Sequence, residues 1–259
     1  MKFIRYRING HTAYGILEDS TVTEVDGSIF GNYEPTASSY KLEEVHLLSP
    51  VEPSKIICVG LNYLKHIKEL NKDRPPYPSH FIKAQSAIIN PGDPIILPTG
   101  IDFTSYEGEL AVIIKNKIKD VSKDEAMNHV FGYTCLNDVT ARDLVNKYAF
   151  SQFIRCKGFD TFAPFGPCVE TDLNPSDLTV RTFLNQELVQ EGECNDMIFS
   201  VAYLIHYISQ SMTLFPGDII STGTPSGIRP MKHGDIVEVN IEGIGTLKNP
   251  VQQFLSNPL

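Results

Sequence analysis

Glu107 and Glu109 stand two residues apart in Tyr106-Glu107-Gly108-Glu109-Leu110, at the head of the apolar run 110–114. In a β-strand, residues i and i+2 share a face. The spacing predicts two carboxylates side by side at the mouth of a buried strand, which is unfavourable unless a cation neutralises them. Asp138 closes a second apolar run, 130–136, and offers a third oxygen ligand. Three carboxylates, with neither Cys nor His among them, suit a hard cation such as Mg, Mn or Ca. A plainer reading fits the same residues: two glutamates on a solvated strand face, and Asp138 capping a helix that starts near Val139.

His66 and Glu69 are spaced i and i+3, neighbours on a helix. Glu69 can orient the imidazole, leaving His66 to exchange a proton with water or substrate; with Lys65 and Lys68 beside them, they also read as a solvated face. Lys157 lies among apolar and aromatic residues in the segment 155–164. Partly buried, it would pair with a ligand carboxylate or stabilise an enolate; otherwise it is a surface lysine before a turn. The run Ser221-Thr222-Gly223-Thr224-Pro225-Ser226-Gly227 has the small residues that let backbone approach a ligand, with N–H groups suited to a carboxylate. It lacks the Gly-Lys-Ser/Thr ending of a nucleotide P-loop, which excludes that use. An ordinary tight loop is the alternative.

The elements that must position these residues are mostly short strands. Phe3–Ile8 and Thr12–Leu17 flank Asn9-Gly10, a hairpin signal, and Thr21–Val25 adds a third strand. A polar, irregular stretch then runs to Pro50. Residues 1–50 are expected as a small β-rich N-terminal domain, with 51–259 as the main domain. Lys55–Gly60 reads as a buried strand. Asn62–Leu70 reads as a helix, with Tyr63, Ile67 and Leu70 on one face, ending at the Pro-rich piece 74–78. Pro91-Gly92-Asp93, Pro216-Gly217-Asp218 and His233-Gly234-Asp235 are turn phrases, each before an apolar run. Two further helices are predicted, Lys123–Asn128 capped by Ser122, and Asp196–Ser211 capped by Asn195 or Asp196. The second buries Ile198, Val201, Ala202, Ile205 and Ile208. Strands outnumber helices without regular alternation, so the expected class is β-rich α+β.

Bulk properties narrow the field. The chain has 259 residues, 42% hydrophobic and 20% charged, with a net charge of −9. No Lys/Arg run or basic stripe appears, which argues against a nucleic-acid partner. Five cysteines, an odd number without a C-x-x-C pair, argue against a disulfide framework or zinc site. They are expected as reduced thiols in a cytoplasmic protein. The N-terminus has no apolar signal core, and no apolar stretch approaches the roughly 20 residues of a membrane span.

The order of these groups along the chain carries more than any one of them. Gly60-Leu61-Asn62-Tyr63 with His66 and Glu69 comes first, then Phe81-Ile82-Lys83 and Tyr106-Glu107-Gly108-Glu109-Leu110. Asn137-Asp138-Val139-Thr140-Ala141-Arg142-Asp143, Lys157-Gly158-Phe159-Asp160 and Pro216–Pro225 follow. From about residue 54 to 250 this series closely resembles the fumarylacetoacetate hydrolase family. The resemblance implies a mixed β-sandwich roll holding one divalent cation, Mg, Mn or Ca, on Glu107, Glu109 and Asp138. It makes Lys157 the active-site lysine. It makes His66 and Glu69 the acid/base dyad of the acylpyruvase-like branch, on a segment that orders when substrate binds. Arg142 and Thr224, with Gly223 and Tyr63, fall at positions that contact substrate or support the site.

The implied substrate is a small 2-oxo or 2,4-dioxo acid, processed through a metal-stabilised enolate. Hydrolysis of a C–C bond in an acylpyruvate is the leading expectation. Oxaloacetate decarboxylation, oxaloacetate keto–enol tautomerisation and 2-hydroxyhepta-2,4-diene-1,7-dioate isomerisation share the same metal end. A non-catalytic metal- and ligand-binding module is the rival of a different class. A homodimer is expected from the family. The chain departs from some acylpyruvase-like members at Leu61, where they carry Arg. Lys83 or Arg74 would be the source of a second cationic contact for a dicarboxylate.

Overall fold

Seven consecutive buried residues, Gly108–Ile114, form the central strand of the protein. An unbroken apolar run suits a strand covered on both faces. Alternation splits its side chains between two cores. Leu110, Val112 and Ile114 join one cluster and Ala111 and Ile113 the other. The strand pairs antiparallel with Val130–Asn137 on one side and Ile219–Ser221 on the other. Pairing continues past the strand end, where Asp138 N donates to Glu107 O at 2.8 Å. Two of the three predicted ligands therefore face each other across the sheet.

The chain is described here by a computed structural model covering residues 1–148 and 152–253; residues 254–259 of the expected main domain lie outside them. The class is β-rich α+β. In the large sheet the path runs Tyr33–Lys41, Thr21–Gly27, His11–Glu18, Lys2–Ile8, Ala163–Glu170, Val130–Asn137, Gly108–Ile114, Ile219–Ser221, Ile56–Gly60 and Ser79–Lys83. A second sheet has the order Glu187–Glu193, Thr179–Leu184, Ile236–Ile241, Gly245–Gln253 and Ile95–Leu97. The larger core lies between them, where Val112 and Leu110 cluster with Val180, Val239 and Leu247. Among the described residues, no helix is long and apolar enough to cross a membrane.

The N-terminal hairpin forms around Asn9-Gly10 as the turn chemistry predicts. Its first strand also pairs with Ala163–Glu170 (Lys2↔Glu170, Phe3↔Val169), so the N-terminal strands extend the large sheet. The stretch expected to be irregular contains a nine-residue strand, Tyr33–Lys41. Pro35 and the serines obscure it in the sequence. They are tolerated because the strand is the sheet's edge, where an unpaired side needs no N–H.

Among the described residues there are four α-helices: α1 (Leu64–Glu69), α2 (Arg142–Tyr148), α3 (Phe153–Lys157) and α4 (Val201–Ser211). Helix α4 starts at Ser200, whose hydroxyl accepts from Tyr203 N, rather than at Asn195 or Asp196. Buried Asn62 explains the delay: its backbone oxygen takes Ile198 N at 2.9 Å and its side chain takes Phe199 N at 2.8 Å. Helix α4 buries Val201, Leu204, Ile205 and Ile208, so Leu204 takes the place expected for Ala202. Residues 123–128 do not form an α-helix. Ser122 caps a turn through Glu125, followed by a 3-10 turn at Ala126–His129.

The three Gly-Asp phrases share one device. Asp93, Asp218 and Asp235 each accept the backbone N–H three residues upstream, from Asn90, Phe215 and Lys232. The carboxylate closes the turn and launches the next strand. All five cysteines are buried free thiols. Burial pushes Cys168 up to about 12 and Cys194 up to about 11, which removes both as nucleophiles at neutral pH.

Candidate active site

Glu107, Glu109 and Asp138 converge so that one oxygen from each lies within 4.8 Å of the others, all three buried. The geometry follows from the strand: 107 and 109 share a face, and antiparallel pairing brings 138 opposite. The intervening Gly108 is required by the second sheet. A Cβ at Gly108 would lie 2.1 Å from Thr182 Oγ1 and 3.3 Å from Val239. Gly108→Ala should therefore cost about 1–3 kcal/mol through overpacking, read by urea unfolding. A loss under about 0.5 kcal/mol would mean that the two sheets separate easily at this point.

Three buried cations surround the three carboxylates. Arg142 Nη2 donates to Glu107 Oε1, and its Nε donates to Ser105 Oγ at 3.1 Å. Lys157 Nζ donates to Glu107 Oε2 at 3.0 Å, Asp138 Oδ2 at 2.6 Å and Thr140 Oγ1 at 2.8 Å. Lys83 Nζ donates to Asp138 Oδ1 at 2.5 Å and Val139 O at 3.1 Å. Glu109 is satisfied differently, by Ser221 Oγ at 2.5 Å and Gly223 N at 2.9 Å.

This difference sets the electrostatics. Burial raises the Glu107 carboxyl, but the charges of Arg142 and Lys157 outweigh it and hold it at about 2. Burial, then the charges of Asp138 and Glu107, push Glu109 well above the carboxylate range. For Lys157, burial lowers the pKa, and Asp138 and Glu107 more than reverse this, so its ammonium stays charged. A hard cation fits here. Every candidate donor is a carboxylate oxygen, and Glu109 is the corner where neutral donors alone hold a buried acid.

The other predicted residues sort clearly. His66 lines the same cavity as Glu107, Glu109, Arg142, Lys157 and Thr224. Its Nδ1 is 2.8 Å from Glu69 Oε2, and Glu69 Oε1 accepts from Gly227 N at 2.9 Å. Burial raises the Glu69 carboxyl, but the bonds from His66 and the Gly227 backbone bring it below its usual value. Glu69 is thus an anion, so Nδ1 is the donor, and in the neutral imidazole the lone pair falls on Nε2. Thr224 Oγ1 donates to Gly108 O at 2.9 Å. Gly223 acts through its N–H on Glu109. Tyr63 is not brought to this cavity. Its hydroxyl lies 3.8 Å from Cys194 Sγ, and it lines a separate cavity with Leu64 and Arg181. Arg74 lies in an exposed loop.

Sequence reasoning left Lys83 unplaced and passed over Ser221, Thr140 and Gln190 as site groups. Lys83 was hidden because the burial runs against hydropathy. Phe81 and Lys83 are both buried while Ile82 between them is 41% exposed, so alternation aims the lysine inward.

The C-terminal domain model of fumarylacetoacetate hydrolases matches residues 55–252, and a model named for the N-terminal region of Rv2993c-like proteins matches residues 1–50. The chain belongs to the fumarylacetoacetate hydrolase family. A 5-carboxymethyl-2-hydroxymuconate delta-isomerase from Mycobacterium smegmatis has the same fold, with a TM-score of 0.92 and 40% identity over 98% of this chain and 100% of that one. The mitochondrial oxaloacetate tautomerase FAHD2A of Homo sapiens is 41% identical over 80% of this chain and 70% of its own. A maleylpyruvate hydrolase from Sphingobium sp. SYK-6, solved with manganese(II) and pyruvate, has a TM-score of 0.81 at 26% identity, covering 98% and 100%. Family relatives thus include tautomerases, isomerases and hydrolases.

Proposed function

We propose that this chain is a divalent-metal-dependent enzyme that forms and reprotonates the enolate of a small 2-oxo acid, with oxaloacetate keto–enol tautomerisation as its reaction. The observation that carries this reading is one cavity lined by Glu107, Glu109, Lys157 and the oriented His66, with an Asp138 oxygen within 4.8 Å of oxygens of both glutamates.

With Glu109 ionised, as a metal ligand would be, Lys83, Lys157 and Arg142 balance Glu107, Glu109 and Asp138 in charge. A divalent cation held by the three carboxylates would polarise the 2-oxo carbonyl and add the surplus positive charge that a carboxylate-enolate needs. Arg142, fixed by Glu107 and Ser105, suits the substrate carboxylate. Lys157 places a permanent ammonium where the enolate oxygen develops. Toward the keto form, His66 Nε2 takes the enol proton and delivers it to C3; toward the enol, it takes the C3 proton and delivers it to the enolate oxygen, while Glu69 stabilises the imidazolium.

Hydrolysis of a 2,4-dioxo acid is the second reading. There His66 Nε2 would take a proton from water attacking the C4 carbonyl, and the C3–C4 bond would break to release the pyruvate enolate. The oriented dyad favours it. Against it stand the tautomerase and isomerase relatives, which are closer in sequence than the maleylpyruvate hydrolase.

The two separate in one experiment. Decay of enol-oxaloacetate and release of acetate from acetylpyruvate should be followed with Mg or Mn, with EDTA, and after metal add-back. The expected result is metal-dependent enol decay above the buffer rate, without acetate. Acetate release would favour the second reading. If neither reaction occurs and EDTA changes nothing, the enzyme reading fails.

A further inference from the structure

The dyad is held from behind by residues that do not line the cavity. Helix α1 has six residues, too few to be stable alone, and its N-cap Tyr63 offers no side-chain bond. Its outer face is open: Leu64 is 47% exposed. The orientation of His66 therefore depends on how the two ends of α1 are tied down. At the start, the Asn62 amide donates to Phe199 O at 3.1 Å and Thr222 O at 2.7 Å. At the end, Glu69 docks on Gly227 N.

Gly227 belongs to a strap, residues 224–228, that crosses the Glu-Gly-Glu strand. Gln190, 1% exposed, reaches the strap from the second sheet. Its Nε2 donates to Thr224 Oγ1 at 2.9 Å and Pro225 O at 2.7 Å, and its Oε1 accepts from Gly108 N at 3.0 Å. Tyr106 is fully buried, and its hydroxyl donates to Gly227 O at 2.9 Å. Gly227 has φ +114°, and a Cβ there would sit 1.9 Å from Val189 O. The strap is thus pressed onto the strand that carries Gln190. Tyr106 thus holds the 227–228 peptide, and the adjoining 226–227 peptide, packed against Val189, presents the Gly227 N–H to Glu69.

We propose that Gln190 and Tyr106 are positioning residues that fix the 224–228 strap as the dock for Glu69 and so set the angle of His66. The chain of bonds runs from Tyr106, adjacent to Glu107, through Gly227 and Glu69 to His66 Nδ1. It links the carboxylate strand to the proton-transfer group, so that the two halves of the site keep one geometry. This rests on the reading of His66 as the proton-transfer residue.

The test uses Tyr106→Phe, which removes one hydroxyl, and Gln190→Met, with Glu69→Gln as the reference for a loosened dyad. ¹⁵N NMR of the His66 imidazole reads positioning without any substrate. In both variants the Nδ1 signal should move toward that of Glu69→Gln. For Tyr106→Phe, kcat for enol-oxaloacetate should fall about tenfold with KM and Mn affinity within about twofold, as expected for a misoriented base. Wild-type His66 signals in a folded Tyr106→Phe protein would overturn the proposal. So would equal losses in Mn affinity and kcat for that variant, which would place the effect on the carboxylate strand. If the wild type turns over no 2-oxo acid, the functional reading fails while the imidazole signals still decide the positioning claim.

Discussion

Glu109→Ala should lower kcat/KM by roughly 10³-fold or more for every 2-oxo acid the enzyme accepts, leaving a folded protein. Glu109 is the one carboxylate of the three that no cation touches; Ser221 and Gly223 hold it through neutral donors. Removing it deletes a proposed ligand while Arg142, Lys157 and Lys83 still pair with Glu107 and Asp138, so no buried charge is orphaned. Stability in EDTA should hold or rise, because burial and the neighbouring carboxylates disfavour the Glu109 anion. Manganese titration, steady-state rates and urea unfolding together check this. Retention of metal-dependent turnover would remove Glu109 from the ligand set. His66→Ala gives the contrast: manganese affinity should be unchanged, while the rate falls by about 10²–10⁴, the span of general acid–base catalysis.

The contrast also marks what the sequence made legible. Glu107, Glu109 and Asp138 could be grouped from two simple periodicities, alternation within one strand and an acidic residue closing another. His66 and Glu69 followed from i, i+3 spacing, and the contact observed is 2.8 Å. The hairpin at Asn9-Gly10 was equally local. What escaped was set by partners distant in sequence. Helix α4 starts late because Asn62, 137 residues away, holds Phe199 N. Gln190 looks like any glutamine in a strand, and its role depends on a strap that no local pattern predicts. The edge strand Tyr33–Lys41 is hidden for a different reason. A solvated edge tolerates Pro and Ser, so selection leaves little periodic signal there.

Lys83→Met should destabilise the metal-free protein by about 3–5 kcal/mol, the usual cost of breaking a buried ion pair from one side. The lysine side chain is 0% exposed and its Nζ lies 2.5 Å from Asp138 Oδ1. Met fills similar space without charge, so the loss isolates electrostatics from packing. Lys157 still reaches Asp138 Oδ2, at 2.6 Å, which places the expected loss nearer the lower figure. Since a chain of this size loses about 2–4 °C per kcal/mol, Tm in EDTA should fall by roughly 10 °C. Lys83→Met/Asp138→Asn should recover most of that loss, because the double variant no longer buries a carboxylate that has lost one of its two ammonium partners. It should nonetheless stay inactive, having lost a ligand. Saturating manganese should also rescue the single variant more than the double one, since a cation can replace the missing ammonium only where the carboxylate remains. A loss below about 1 kcal/mol, or a double variant no more stable than the single, would show that Asp138 draws its compensation from Lys157 alone.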